Sequence, residues 1–256
     1  MFKRIELIDF QPNTSGLKEE VIQGLQSQQK ILPAKLFYDE NGSVLFDQIT
    51  ALPEYYPTRT EQKIMDENIA EMASRIGERC LLIEYGSGSS QKTRTLLANL
   101  PNMAGFVPID ISGTHLLKSA YAIAAQFPNL DIVPICADYE TDFKMPTFTV
   151  VNQKVAYFPG STIGNFHPQE AVNFLKQMRR VCGNDSHLLI GVDLKKEPEV
   201  LHAAYNDSAG VTAEFNLNML RHLNRELGAN FNLDGFVHQA HYDAEYGRIE
   251  MHLISK

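Results

Sequence analysis

The chain is 256 residues long and carries 23 Lys+Arg against 31 Asp+Glu, a formal net charge of −8. At 44% apolar, 21% charged and 9% aromatic it has the makeup of a globular protein of one large or two small domains, which excludes disordered, collagen-like and repeat architectures. An acidic surface repels phosphate backbones and anionic lipid, so the expected partner is a small molecule and neither nucleic acid nor a membrane.

Charges at Lys3, Arg4 and Glu6 break up the apolar N-terminus before a signal-peptide core can form, and no later run reaches spanning length, so a cytoplasmic protein is expected. Cys80, Cys136 and Cys182 lie far apart beside apolar runs and read as buried free thiols, not as a disulfide or a zinc site. The first 80 residues read as helix and loop without a strong strand. A short helix is expected from Asn13 to Gln29, broken at Leu32-Pro33, and the Lys35–Gly42 stretch reads as a turn opening a further helix near Ser43. Leu52-Pro-Glu-Tyr-Tyr-Pro57 forms a stiff aromatic connector between two prolines. Thr58 and Glu61 have capping-box spacing ahead of a helix marked by Met65, Ile69, Met72 and Ile76 and stopped by Gly77.

From Cys80 onward, short apolar runs alternate with helical patterns. Leu81–Tyr85, Phe106–Asp110, Ile132–Cys136, Val155–Phe158 and Leu188–Val192 are five expected strands; helices follow Ser112 and Pro168, the second ending at Gly183. Strands without polar alternation, separated by helices, indicate a parallel sheet covered on both faces, the doubly wound α/β plan. After Asp193 two helices split at Gly210 and an antiparallel pair, Phe236–Tyr242 with Arg248–Ile254, suggest a second unit. The expected domains are a core over 62–195 and a mixed α+β cover built from 1–61 and 196–256.

The sharpest chemical signal is Glu84-Tyr-Gly-Ser-Gly-Ser-Ser90 at the end of the first core strand. Gly86 and Gly88 around Ser87 allow a tight turn and close backbone approach to a ligand, although such a turn also serves simply to join strand to helix. Asp110 ends the next strand, where an acid can hold ribose hydroxyls or instead cap the helix near Ser112. Asp138 and Tyr139 follow the third strand, placed for an adenine amino group and ring. A dinucleotide site would want a third glycine where Gln91 stands, so the three acids favour S-adenosyl-L-methionine over a nicotinamide cofactor. After the fourth strand, Gly160-Ser-Thr-Ile-Gly-Asn165 would face the methyl group; Asn165 can hold an amine acceptor, or form an Asx turn capping the next helix. His238 and His241 have opposite parity on a strand, so no metal site is expected from the closing pair.

Five blocks, Leu52–Arg59, Glu84–Arg94, Gly160–Asn165, Ala209–Asn216 and Arg248–Met251, resemble the histidine-specific S-adenosylmethionine-dependent methyltransferases, a likeness that covers nearly the whole chain. It implies a Rossmann-like class I methyltransferase sheet and N-methylation of the α-amino group of a free amino acid, L-histidine, to the trimethylated betaine hercynine of the ergothioneine pathway. It also implies that Gly86, Lys92, Asp110, Asp138 and Tyr139 hold the methyl donor. Tyr55 and Tyr205 would grip the substrate carboxylate and Asn165 its α-amino group, while Tyr38, Phe46 and Gly160 line the site and Met251 lies near the imidazole. Tyr38 or water would take the proton that the amine must lose. Measured against that family, the C-terminal strands of the sheet and an imidazole-recognising segment are expected to be missing from a chain that stops at Lys256. A relative that binds without turnover and a methyltransferase for another amino acid are the alternative functions. A monomer or weak homo-oligomer is expected.

Overall fold

The computed structural model describes residues 5–11, 16–88, 91–141 and 143–256. In chain order the elements are β1 (Ile8–Asp9), α1 (Leu17–Gln26), α2 (Glu40–Thr50), α3 (Tyr56–Ile76), β2 (Cys80–Tyr85), α4 (Gln91–Asn99), β3 (Gly105–Asp110), α5 (Gly113–Gln126) and β4 (Ile135–Cys136). They continue with β5 (Gln153–Phe158), α6 (Pro168–Cys182), β6 (His187–Ile190), α7 (Pro198–Tyr205), α8 (Val211–Leu227), β7 (Phe236–Asp243) and β8 (Arg248–Ser255). Two compact units result, one from Met1–Pro12 with Arg59–Asp193 and the other from Asn13–Thr58 with Leu194–Lys256.

The first unit holds a six-stranded sheet in the order β1-β4-β3-β2-β5-β6, every pairing parallel. Its core follows from strand periodicity. Leu81, Ile83 and Tyr85 of β2 point to one face and join Phe174 and Met178 of α6, while Cys80 and Leu82 point to the other and join Leu96 of α4, Ile123 of α5 and Met65 and Ile76 of α3. Every residue of β2 is buried, as a central strand covered on both faces requires. Truncating one of these side chains, as in Leu82→Ala, should cost about 2–5 kcal/mol. All three cysteines are buried.

The chain steps outward from β2 to β3 and β4, then crosses back to place β5 on the other side of β2. That reversal is the switch point of an open α/β sheet, where loops leaving the carboxyl ends diverge and open a crevice. The loops after β2 and β5, the two that hold the glycine motifs, therefore leave neighbouring strands paired through Glu84 and Tyr157.

Several expectations are corrected. The N-terminal stretch is not free of strand: Ile8 and Asp9 pair with Ile135 and Cys136 at the sheet edge. Two residues are too few to carry a periodic signal. The third core strand shrinks to Ile135–Cys136, with only a bridge from Ile132 to Phe106, because Pro134 has no N–H to give to a ladder. Thr58 caps nothing, since α3 already starts at Tyr56 with Pro57 in its first turn, where a fixed φ and a missing N–H cost nothing. The expected helix start at Asn13 lies outside the described residues; from Leu17 the helix is present.

In the second unit Phe215, Met219, Leu220 and Leu223 recur at helical spacing along the buried face of α8. Asp39 caps α2 by accepting the Gly42 N–H at 2.7 Å and also accepts from Asn218 of α8 at 2.7 Å, which ties the two helices together. Strands β7 and β8 form the expected antiparallel pair, from Phe236 opposite Ser255 to Asp243 opposite Arg248. Among the described residues no helix is long and apolar enough to cross a membrane.

Candidate active site

At the carboxyl end of β2 the chain turns through Gly86, whose φ of +73° is left-handed and costs glycine little. The Gly86 and Ser87 N–H groups both donate to the Ile109 carbonyl, at 2.9 and 3.0 Å, so the turn is pinned to β3. Among the described residues, chain neighbours aside, no atom lies within 4 Å of where a Cβ would stand at Gly86 or Gly88, which leaves room for a ligand to approach the backbone. Ser89 and Ser90 lie outside the described residues.

Beneath this turn Glu84 is wholly buried and accepts hydrogen bonds from Ser87 Oγ, at 2.6 Å, and Thr93 Oγ1. Burial pushes its carboxyl up to about 7, against the pull of those two hydroxyls and of Lys92. Lys92 is itself 7% exposed and forms an ion pair with Glu61 of α3.

Asp110 sits at the tip of β3 and accepts the Ser112 N–H at 2.9 Å, so it forms the turn that leads into α5. Asp138 follows β4 and accepts the Glu140 N–H at 3.0 Å. The Tyr139 ring packs against Tyr85, Phe158 and Phe174, at 5.4 Å from the last, as part of the core edge. These groups fit a purine nucleoside with a cationic tail: open glycine backbone, acids at successive strand ends and a buried acid below the turn.

After β5 the loop turns at Gly160, with φ +80°, and Ser161 holds a left-handed φ of +60° that a side chain adopts only under constraint. The constraint is visible: Ser161 Oγ accepts the Asp193 N–H at 2.9 Å, and the Gly191 N–H donates to the Phe158 carbonyl at 3.0 Å. The loop then closes a 3₁₀ turn over Thr162–Asn165. Asn165 does not cap the next helix. That role falls to His167, whose N–H donates to Glu170 Oε2 at 2.8 Å, and Asn165 remains exposed.

The second unit gathers the remaining residues. Tyr38, Phe46, Tyr55, Tyr205 and Met251 belong to one cluster with Phe37, Ile49 and Phe215. The ring of Tyr55 meets Tyr205 edge-on at 5.9 Å and Phe46 at 6.3 Å; Phe46 lies 5.8 Å from Tyr38, and Phe215 stacks on Phe37 at 4.7 Å. Burial foremost, then the neighbouring Tyr205 and Tyr38 hydroxyls, hold the Tyr55 phenol well above its ordinary value. It is therefore a neutral hydroxyl at physiological pH, suited to donating a hydrogen bond.

Three residues escape a reading of the sequence alone. Glu61 resembles a capping residue by spacing, yet its carboxylate serves Lys92 and Gly160. Phe215 completes the ring cluster but is one of many apolar residues on α8. His238 accepts from Asn216 Nδ2 at Nδ1, at 2.9 Å, and its Nε2 meets the Tyr205 carbonyl at 2.8 Å, a link that joins residues 33 apart and that no local pattern signals.

A family model described as histidine-specific, SAM-dependent methyltransferase matches residues 17–256. The chain belongs to that family. It is 43% identical over 245 residues to a histidine N-alpha-methyltransferase of Mycolicibacterium smegmatis, covering 94% of this chain and 75% of that protein. To the Mycobacterium tuberculosis protein of the same name it is 42% identical over 241 residues, covering 93% and 74%. An ergothioneine biosynthesis protein 1 of Neurospora crassa is 36% identical over 85% of this chain, which spans 26% of that longer protein. Membership makes the protein an enzyme whose methyl donor is S-adenosylmethionine, and the choice of that donor over a nicotinamide cofactor, made on three acids and a missing glycine, is borne out.

Proposed function

We propose that the protein transfers methyl groups from S-adenosylmethionine to the α-amino nitrogen of free L-histidine, repeating the step to the trimethylated betaine. The observation that carries this reading is the pairing of β2 with β5, which sets the Gly86–Gly88 turn and the Gly160–Asn165 loop at the carboxyl ends of adjacent strands in a histidine-specific methyltransferase. S-adenosylmethionine supplies an electrophilic methyl on a good leaving group, so no enzyme nucleophile is needed.

What the chain must do is bind, orient and desolvate. The glycine turn and Asp110 hold the nucleoside, with Lys92, Asp138 and Tyr139 completing that side. Asn165, exposed at its loop tip, offers an amide oxygen to an amine N–H and keeps the lone pair directed. Tyr55 and Tyr205 donate their hydroxyls to the amino acid carboxylate, with Gly160 lining the amine side and Met251 the imidazole side. Ring faces of Tyr38 and Phe46 favour the cationic product head as it grows. A water, or Tyr38 in its phenolate form, accepts the amine proton.

The test offers each free amino acid with isotope-labelled donor and reads products by mass spectrometry. Label in histidine, with other amino acids unlabelled, is the expected result. Labelling of a different amino acid would replace the substrate and leave the donor assignment standing; donor binding without any labelled product would assign a binding protein instead.

A further inference from the structure

Glu61 stands where three segments of the sheet unit converge. Both of its carboxylate oxygens face the Gly160 N–H, at 3.0 and 2.9 Å, and one of them also pairs with Lys92. The glutamate side chain is 18% exposed and the lysine side chain 8%, so this pair is shielded from bulk water and more strongly coupled than a surface bridge. The third segment is the exit of β6. A Cβ added at Gly191 would fall 2.0 Å from Glu61 Oε1 and 3.3 Å from the Gly160 nitrogen. Gly191 has no left-handed φ that would demand glycine. The missing side chain there makes room for the Glu61 carboxylate.

Gly160 opens the loop that ends at Asn165, and Lys92 lies on the first turns of α4 behind the glycine turn. One carboxylate thus links the segment assigned to the acceptor amine with a residue assigned to the methyl donor. The Lys92 amine lies 3.8 Å from where a Cβ at Gly160 would stand, so the two segments run close together and their spacing depends on what lies between them. In-line displacement is sensitive to such spacing, because an error of about 1 Å can cost roughly a hundredfold in rate.

We propose that Glu61 is a positioning residue for methyl transfer: through the Gly160 N–H it holds the Gly160–Asn165 loop at a fixed distance from Lys92, touching neither reactant, while Gly191 leaves the space it needs. The inference rests on the functional reading above for what the two segments hold, and on geometry alone for what Glu61 does.

The test compares Glu61→Ala, Glu61→Gln and Gly191→Ala with the parent. Donor affinity is read by calorimetry, turnover of histidine at saturating donor by mass spectrometry, and amide hydrogen exchange across residues 158–166. For Glu61→Ala the expectation is a fall in kcat of at least about tenfold with donor Kd within about threefold, and faster exchange at Gly160 while β2 stays protected. Glu61→Gln keeps an oxygen for the Gly160 N–H and should recover kcat to within about threefold of the parent. Gly191→Ala should reproduce the alanine phenotype by displacing an intact carboxylate. Unchanged kcat and exchange in Glu61→Ala would overturn the proposal, as would a donor Kd that weakens as far as kcat falls, or a glutamine variant no better than alanine. Should Glu61→Ala fail to fold, the glutamine and Gly191 variants carry the same comparison. If the parent itself methylates no histidine, the functional reading fails, and hydrogen exchange at Gly160 still decides the role of Glu61.

Discussion

The two units build their parts of the chemistry from different materials. In the sheet unit, the groups assigned to the methyl donor are backbone and buried polar groups: a left-handed glycine, N–H groups pinned to a neighbouring strand, a wholly buried Glu84 and a Lys92 paired inside the protein. In the second unit the residues assigned to the substrate are rings, with Tyr38, Phe46, Tyr55 and Tyr205 meeting edge-on in one cluster. A nucleoside is recognised by fixed hydrogen-bonding directions, which backbone supplies well. An amine that becomes a quaternary cation needs a surface that tolerates growth and charge, which aromatic faces supply. Damage to one unit should therefore read out differently from damage to the other.

The largest effect is expected from Gly86→Val. A β-branched residue at φ +73° is strained and its side chain would fill the space beside the turn, so donor affinity should fall by roughly a hundredfold in calorimetry, with far-UV dichroism unchanged. Asn165→Ala should lose about tenfold or more in kcat while donor Kd stays within about threefold. Equal loss of donor binding would move Asn165 to the donor side and erase the contrast between the segments.

Glu84 gives the sheet unit a pH signature. Its folded value of about 7 lies above the ordinary 4.5, so the folded state binds more protons, and stability should fall as pH rises from about 4.5 through 7. The loss is on the order of 2–3 kcal/mol for a fully buried group, measurable by urea titration at both pH values. Glu84→Gln should flatten that slope.

On the aromatic side, Tyr55→Phe removes a hydroxyl without removing the ring. The KM for the amino acid should rise about tenfold with donor Kd unmoved. The smallest effect belongs to His238, which burial holds below its ordinary 6.5 despite the Tyr205 carbonyl it faces. A depressed histidine contributes stability above about pH 6.5 that is lost as pH falls, and His238→Gln should shift melting temperature at low pH less than the parent does.

Much of this contrast was legible before the structure, and unevenly so. The core strands β2, β3 and β5 announced themselves because burial on both faces removes polar alternation. β1 did not, because two residues carry no period, and β4 is shorter than its apolar run, which continues through Pro134. The glycine turns and strand-end acids were readable because their chemistry is local. Glu61 has the spacing of a capping box because a cap and a tertiary anchor need the same residue type; only Pro57, in the first turn of a helix that starts at Tyr56, separates them. The link from His238 to Tyr205 spans 33 residues and depends on tertiary packing alone.

The most direct test of the whole account is fragmentation mass spectrometry of the product formed from histidine and labelled S-adenosylmethionine. All label on the α-nitrogen, ending in the trimethylated species, is the result predicted by an amine held by Asn165. Label on an imidazole nitrogen would contradict it, because the amine and carboxylate contacts assigned to Asn165, Tyr55 and Tyr205 would then grip the wrong end of the substrate.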